Sequence, residues 1–139
     1  MSENKYAKYV IREPSMRTPH PQITLPIVAF NRGRSDFPES NFSINWEVIS
    51  KPFVMETAGH THDWDQLLCF IGGNSQNFFD FGAEIEIFLG EERYFINTTT
   101  LVWIPKGLVH GPLEFKKIHQ PIMFNNIVMA SRYGRASQL

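Results

Sequence analysis

The chain has 139 residues, which suits a single domain, and a globule of this length buries roughly 68% of the surface that its unfolded chain exposes. Lys and Arg number 13 against 14 Asp and Glu, for a formal net charge of -1, and the charges form no basic or acidic block. Nucleic acid and membrane surfaces are therefore not expected partners. Only 19% of the residues are charged, against about 25% on average, and 14% are aromatic, which favours β structure.

The N-terminus lacks the features of a secretory signal. Residues 1–6 are polar and contain no apolar core of such a peptide, so we expect a cytoplasmic protein. Cys69 is the single cysteine, which excludes an internal disulfide. Its place in an apolar run predicts that it fills the core.

The first segment, residues 1–26, is polar and rich in proline. Proline fixes φ and removes a backbone donor, so this segment is predicted to be an extended N-terminal arm that packs against a neighbouring subunit. Residues 27–130 are predicted to form the single β domain, and the small, polar residues 131–139 a frayed tail.

Short runs of β-branched and aromatic residues follow a polar loop at residues 31–41, each bounded by turn-forming residues. Ile44, Trp46 and Val48 alternate with polar residues, which is the period of a strand. Many short strands of this spacing predict an all-β sandwich or barrel. The predicted strands are residues 42–49, 53–57, 66–71, 84–89, 94–96, 100–104 and 121–129.

Three of the five histidines lie in short motifs. His60 and His62 are two residues apart, so in an extended segment their imidazoles point to the same side, as metal ligands require. If the strand continues without a bulge, Gln66 shares that side, and its amide oxygen can also bind a cation. His110 closes a second motif, Pro-x-Gly-x-x-His, at residues 105–110. His20 and His119 are predicted to face solvent.

Read together, these motifs resemble those of the cupin superfamily. That family has His-x-His, three or four residues, Glu, six residues and Gly, followed later by Pro-x-Gly-x-x-His. Here Gly72 stands six positions after Gln66, and His110 closes the second motif. The resemblance implies an antiparallel double-stranded β-barrel of the jelly-roll type with one divalent metal ion inside. The ligands it implies are His60, His62, Gln66 and His110.

The sequence departs from the family pattern at three positions. Gln66 stands where the family usually has Glu, Val54 where it has an early glycine, and Glu114 where the second motif has Asn. Three neutral imidazoles and a neutral amide would leave a divalent ion its full charge. We therefore expect a weaker but more Lewis-acidic site, or one in which Gln66 does not touch the ion and Asp65 or water replaces it. The donors suit Fe, Mn, Ni or Zn without selecting one.

The substrate pocket is expected inside the barrel, lined by Leu68 and Phe70, which share the parity of Gln66. Such a wall suits a small, partly apolar ligand with one or two oxygen donors. Further candidate lining residues are Trp46, Met55, Trp103 and Met123. Glu47, Glu56, Tyr94 and Glu114 can each transfer a proton, and the sequence does not rank them.

Three functions compete at this point. The first is a metal-dependent enzyme acting on a small oxygenated substrate by dioxygenase, isomerase or lyase chemistry. The second is a non-catalytic module that binds or senses a small molecule, and the third is a purely structural or storage barrel, which the histidine motifs disfavour. Because small barrels often pair through edge strands, we also expect a homodimer.

Overall fold

The computed structural model describes residues 5–32 and 36–130. The predicted tail at residues 131–139 lies outside the described residues. Within them no helix is both long and apolar enough to cross a membrane. The strands are β1 (Ser15–Met16), β2 (Ile27–Phe30), β3 (Ser43–Ile49), β4 (Phe53–Glu56), β5 (Gln66–Gly72), β6 (Ala83–Leu89), β7 (Glu92–Ile96), β8 (Thr100–Ile104), β9 (His110–Ile118) and β10 (Ile122–Val128).

The strands form two antiparallel sheets. One has the order β1-β2-β3-β10-β5-β8 and the other the order β4-β9-β6-β7. Phe115 of the smaller sheet packs against Phe70 and Phe124 of the larger one, with ring centroids 6.2 and 5.8 Å apart, so the core lies between the two sheets. This arrangement confirms the predicted all-β, jelly-roll type of fold.

Every predicted strand run is found with small changes at its ends, and three strands were not predicted as runs of their own. The longest of these is β9, which begins His-Gly-Pro and contains two lysines, so it lacks the β-branched run that signals a strand. It forms because β4 and β6 pair with it on both sides. Local propensity is overridden here by tertiary pairing.

The N-terminal arm folds onto its own barrel. Met16 of β1 pairs with Ile27 of β2, and Ile23 is only 5% exposed in the core. Burial of its few apolar side chains on the same chain stabilises this arrangement. Packing of the arm against a neighbouring subunit stays a prediction.

A two-residue turn joins β6 and β7. Leu89 pairs with Glu92, and Gly90 between them has φ of 60°. This value is unfavourable for residues with a side chain, so glycine allows the tight hairpin.

The alternation of β3 is as predicted, but the face that contains Trp46, which was expected to line the pocket, lies on the outer side of the sheet. Ser43, Asn45 and Glu47 are buried, whereas Ile44, Trp46 and Val48 on the other face are half-buried. The polar face therefore points inward, where it lines the interior of the barrel.

Candidate metal centre

The main chain brings the two histidine motifs together. The His60 N–H donates to the His110 carbonyl at 2.9 Å, and the His110 N–H donates to the His60 carbonyl at 3.0 Å, in an isolated antiparallel bridge. The Gly107 N–H also donates to the His62 carbonyl at 3.1 Å. These bonds hold residues 60–62 against the turn that precedes β9.

The alternation that placed Gln66 on the same side as His60 and His62 requires one continuous strand from residue 60 to residue 66. The structure has no such strand. Asp63 and Trp64 form a bend, and β5 begins only at Gln66. The bend is anchored because the Asp65 carboxylate accepts a hydrogen bond from the Lys106 N–H at 2.8 Å. Asp65 therefore ties two turns together and lies outside the histidine group, so the structure does not support it as a replacement for Gln66.

His60, His62 and His110 form what we call the histidine cluster. One ring nitrogen from each can be chosen so that all lie within 4.8 Å of one another. The ring centroids are 4.8 Å apart for His60 and His62, 4.3 Å for His60 and His110, and 5.1 Å for His62 and His110. Three imidazole nitrogens this close can hold one metal ion.

Hydrogen bonds orient two of these rings. The His110 Nδ1–H donates to the Leu108 carbonyl at 2.9 Å, which leaves Nε2 with a lone pair. That Nε2 is buried and has no hydrogen-bond partner among the described residues. His60 Nδ1 lies 3.3 Å from the Ala58 carbonyl. Ligating histidines usually use one nitrogen for such a contact and the other for the metal.

The surroundings favour the neutral, ligating form of His110. Burial is the main cause that lowers the pKa of His110 below its ordinary value, and the neighbouring His60 lowers it further. Trp64 stacks on His62, with ring centroids 5.0 Å apart and planes 11° from parallel, and this contact restrains the His62 ring.

Gln66 is 4% exposed at the start of β5 and lies on the wall of the same cavity as the cluster. Its amide nitrogen donates to Asn126 Oδ1 at 2.7 Å. The other amide atom, Oε1, is buried without a hydrogen-bond partner among the described residues. An amide fixed at its nitrogen with an unused oxygen is suited to donate that oxygen to a cation or to a ligand group.

The histidine cluster opens into a cavity of about 420 Å³ between the sheets. Its apolar wall comes from both sheets and includes Ile87, Leu113 and Phe124. Residues 16–20 of the N-terminal arm line it as well. A space of this size suits a small organic ligand, and its walls suit one that is partly apolar.

A polar chain of three side chains lines the same cavity. Arg32 donates to the side-chain oxygen Oδ1 of Asn45, and Asn45 Nδ2 donates to Glu47 Oε2. Glu47 is 6% exposed. Burial raises the pKa of the Glu47 carboxyl, while Arg32 and the Asn45 hydrogen bond act in the opposite direction.

Replacing Glu47 by glutamine is expected to change how the stability of the metal-free protein depends on pH. Because the pKa is raised in the folded state, the folded protein binds this proton more tightly than the unfolded chain. The wild type therefore loses free energy of unfolding as pH rises from about 4.5 through the raised value. The melting temperature of E47Q, followed by circular dichroism, is therefore expected to rise relative to that of the wild type as the pH increases above about 4.5. Parallel curves would contradict this prediction.

The structure corrects part of the expected pocket lining. Leu68 and Met55 lie on the cavity wall, and Phe70 is fully buried in the hydrophobic core. Trp103 is 51% exposed on the edge strand β8. Trp46 and Met123 are half-buried on the outer face of the larger sheet, since Asn45, Glu47 and Phe124 next to them point inward. Trp46, Trp103 and Met123 therefore do not line the pocket, because alternation does not tell which face is inside.

The structure also ranks the four candidate proton-transfer groups. Glu47 and Glu56 line the cavity, and of these Glu47 is buried whereas Glu56 is half-buried, with its carboxylate 3.9 Å from His60 Nδ1. Tyr94 is 44% exposed on β7, and Glu114 points away from the core between the buried Leu113 and Phe115. Glu47 is therefore the most deeply buried of the four candidate groups, and it faces the cavity.

Sequence reasoning missed several residues of this cavity. His20 was expected to face solvent, but it is half-buried on the cavity wall with its ring 5.5 Å from that of Phe53. Burial lowers the pKa of His20. Asn45 and Asn126 were not singled out, although their inward parity on β3 and β10 was a usable signal. Nothing local marked Arg32 or His20, which lie among loop-forming residues.

No protein-family model and no curated protein sequence matches this chain. Solved structures do match it. KdgF from Halomonas sp. is 13% identical with a TM-score of 0.53, and the match covers 88% of this chain and 89% of that one.

Two further structures have similar scores. A cupin superfamily protein from Desulfitobacterium hafniense DCB-2 is 11% identical, has a TM-score of 0.51 and covers 83% of this chain and 84% of its own. The Cnp3 cupin domain from Schizosaccharomyces pombe is 8% identical with a TM-score of 0.51, covering 76% of this chain but 60% of that one. At such low identity these likenesses establish the fold alone.

Proposed function

Because the chain has the fold of the cupin superfamily, we propose that it binds one divalent metal ion at the histidine cluster and acts on a small, oxygenated, partly apolar substrate in the cavity. The ligands are His60, His62 and His110, with the Gln66 amide oxygen as a fourth donor. The ion is Fe, Mn, Ni or Zn, since all four accept imidazole and oxygen ligands.

The observation that carries this proposal is the unused nitrogen of His110. Its Nδ1–H is engaged by the Leu108 carbonyl, while Nε2 is buried without a partner within residues 5–32 and 36–130. A buried polar atom left in this way costs free energy unless something binds it. The other two histidines of the cluster stand beside it, so a metal ion fits the donors that are present.

When bound, an ion held by four neutral donors supplies Lewis-acid chemistry at an oxygen of the substrate. The chain itself supplies the rest. Leu113, Phe124 and their apolar neighbours exclude water from the substrate body, and residues 16–20 cover the cavity from the arm. Glu47 adds a group that can hold or move a proton, which favours isomerase or lyase chemistry over dioxygenase chemistry.

A non-catalytic module that binds or senses a small molecule is the second candidate. It is favoured by the cluster itself, which contains no carboxylate among the described residues. Slow or absent conversion of every ligand that binds tightly would favour this alternative. A purely structural role is disfavoured by the cavity and its unpartnered polar atoms. The homodimer and the cytoplasmic location remain predictions.

Metal binding by the wild-type chain tests the proposal directly. Protein stripped with a chelator and titrated with Mn²⁺, Ni²⁺ or Zn²⁺, and with Fe²⁺ under anaerobic conditions, is expected to bind about one equivalent of at least one ion. Calorimetry gives the stoichiometry, and elemental analysis after gel filtration checks it. Trp64 stacks on His62, so its fluorescence is expected to change on binding, and W64F separates this signal from that of the other tryptophans. Failure of all four ions to bind would overturn the proposal.

A further inference from the structure

Glu47 occupies an unusual place for a carboxylate. It lies in the middle of β3 on the inward face, directly opposite the buried Phe124 of the neighbouring strand. Burying an ionisable carboxyl in such surroundings costs stability. The wall that holds it also holds the histidine cluster, so one small ligand can reach both.

The hydrogen bonds around this carboxylate hold it in place and leave it able to accept a proton. Asn45 donates one hydrogen bond to Oε2, and Arg32 holds the Asn45 amide from its other end. The arginine therefore orients the amide, and the amide donates to the carboxylate, while the charge of Arg32 also lowers the pKa of the Glu47 carboxyl. A carboxylate in a direct bidentate pair with arginine would be fixed in its ionised form. Here the surroundings hold its position, while burial raises its pKa and makes a proton easier to accept.

We propose that Glu47 is the catalytic acid and base of this cavity, moving a proton at the carbon next to a substrate carbonyl whose oxygen lies at the histidine cluster. This inference rests on the proposed function. Arg32 and Asn45 are positioning residues that act through Glu47. Arg17, which lines the cavity from the arm, suits a second, anionic group, so the substrate class is a small 2-oxo acid.

The proton transfer balances without a further reactant. The Glu47 carboxylate takes the proton from the carbon, the C–H electron pair forms a C=C bond, and the carbonyl π electrons move to the oxygen. The same carboxyl then returns a proton to carbon as the carbonyl is restored. In D₂O the carboxyl exchanges its proton with solvent in between, so the substrate gains deuterium.

Deuterium exchange of three 2-oxo acids tests the proposal. Pyruvate, 2-oxobutanoate and 2-oxo-4-phenylbutanoate are incubated in D₂O with metal-loaded protein, and loss of the signal from the protons next to the carbonyl is followed by NMR. Wild type is expected to exchange at least one of them about 10²- to 10⁴-fold faster than E47Q, the usual contribution of a general base. E47D, which keeps a shorter carboxylate, is expected to retain part of the rate.

Matched measurements separate catalysis from structure. E84Q removes an exposed carboxylate of β6 and is expected to exchange as wild type does. Calorimetry is expected to give affinities for the exchanging acid that agree within about threefold between E47Q and wild type. The base acts only in the proton transfer and is not needed to bind the acid. Circular dichroism checks that each variant is folded.

Three results would overturn the assignment of Glu47: exchange by E47Q at the wild-type rate, no exchange of any of the three acids by metal-loaded wild type, or loss of binding together with exchange in both E47Q and E47D. The metal content of every sample distinguishes the causes. If the wild-type protein binds no metal, the proposed function fails, and the assignment of Glu47 fails with it. If wild type and E47Q bind equal amounts of metal and neither exchanges any of the acids, only the assignment of Glu47 fails.

Discussion

Replacing His62 by alanine is expected to lower the affinity for the divalent ion by at least about 100-fold. His62 supplies one of the three ring nitrogens that lie within 4.8 Å of one another, and the remaining donors are neutral and few. Residues that only support a ligand typically contribute 10- to 100-fold to affinity, so loss of a ligand itself should exceed that range. Calorimetric titration of the stripped variant, beside the wild type, measures the change.

The matched control is His119→Ala, which removes an exposed histidine in the turn between β9 and β10. It is expected to bind metal as the wild type does, so that a non-specific contribution of histidine is excluded. The variant at position 62 is expected to stay folded, which far-ultraviolet circular dichroism checks. Equal affinities in H62A, H119A and wild type would show that His62 is not a ligand.

Replacing Phe115 by alanine is expected to lower the free energy of unfolding by about 3 to 5 kcal/mol. Phe115 is fully buried where the two sheets meet. Its ring stacks on that of Phe53 at 5.3 Å and meets those of Phe70 and Phe124 at 6.2 and 5.8 Å. The change removes these contacts and leaves a cavity, at a cost comparable to a large share of the total stability of a domain. Urea unfolding of the metal-free proteins measures it.

Phe95→Ala serves as the control for this experiment, because Phe95 is 61% exposed on β7 and contacts Arg93 at the surface. Its expected cost is below about 1 kcal/mol. If both phenylalanine variants lost the same stability, the core would not lie between the sheets as described.

Local pattern was sufficient for the strands and for the three histidines. β-branched and aromatic runs between turn residues located most strands, since such runs depend on neighbours in sequence. The two motifs selected His60, His62 and His110, which the fold brings together. The backbone that positions them differs from the expected continuous strand. A bend at Asp63 and Trp64 interrupts the strand, and a main-chain bridge between His60 and His110 aligns the two segments.

The inward face of β3 could not be predicted from the local sequence pattern. Alternation groups Ile44, Trp46 and Val48 on one face in the sequence and in the structure, but it does not say which face meets the cavity. Hydrophobicity alone placed Trp46 inside. The barrel instead turns Asn45 and Glu47 inward, because its interior is a partly polar cavity rather than a dry core.

Spacing within a few residues was enough to predict the all-β class and to select the three histidines, because strand runs and short motifs depend on neighbours in sequence. Three other features are visible only in the folded chain: the N-terminal arm forms part of the barrel wall, Asn126 holds Gln66, and Arg32 and Asn45 support Glu47. These contacts join residues that are up to 60 positions apart. Their formation depends on which strands pair and which faces turn inward, and both are properties of the folded chain as a whole.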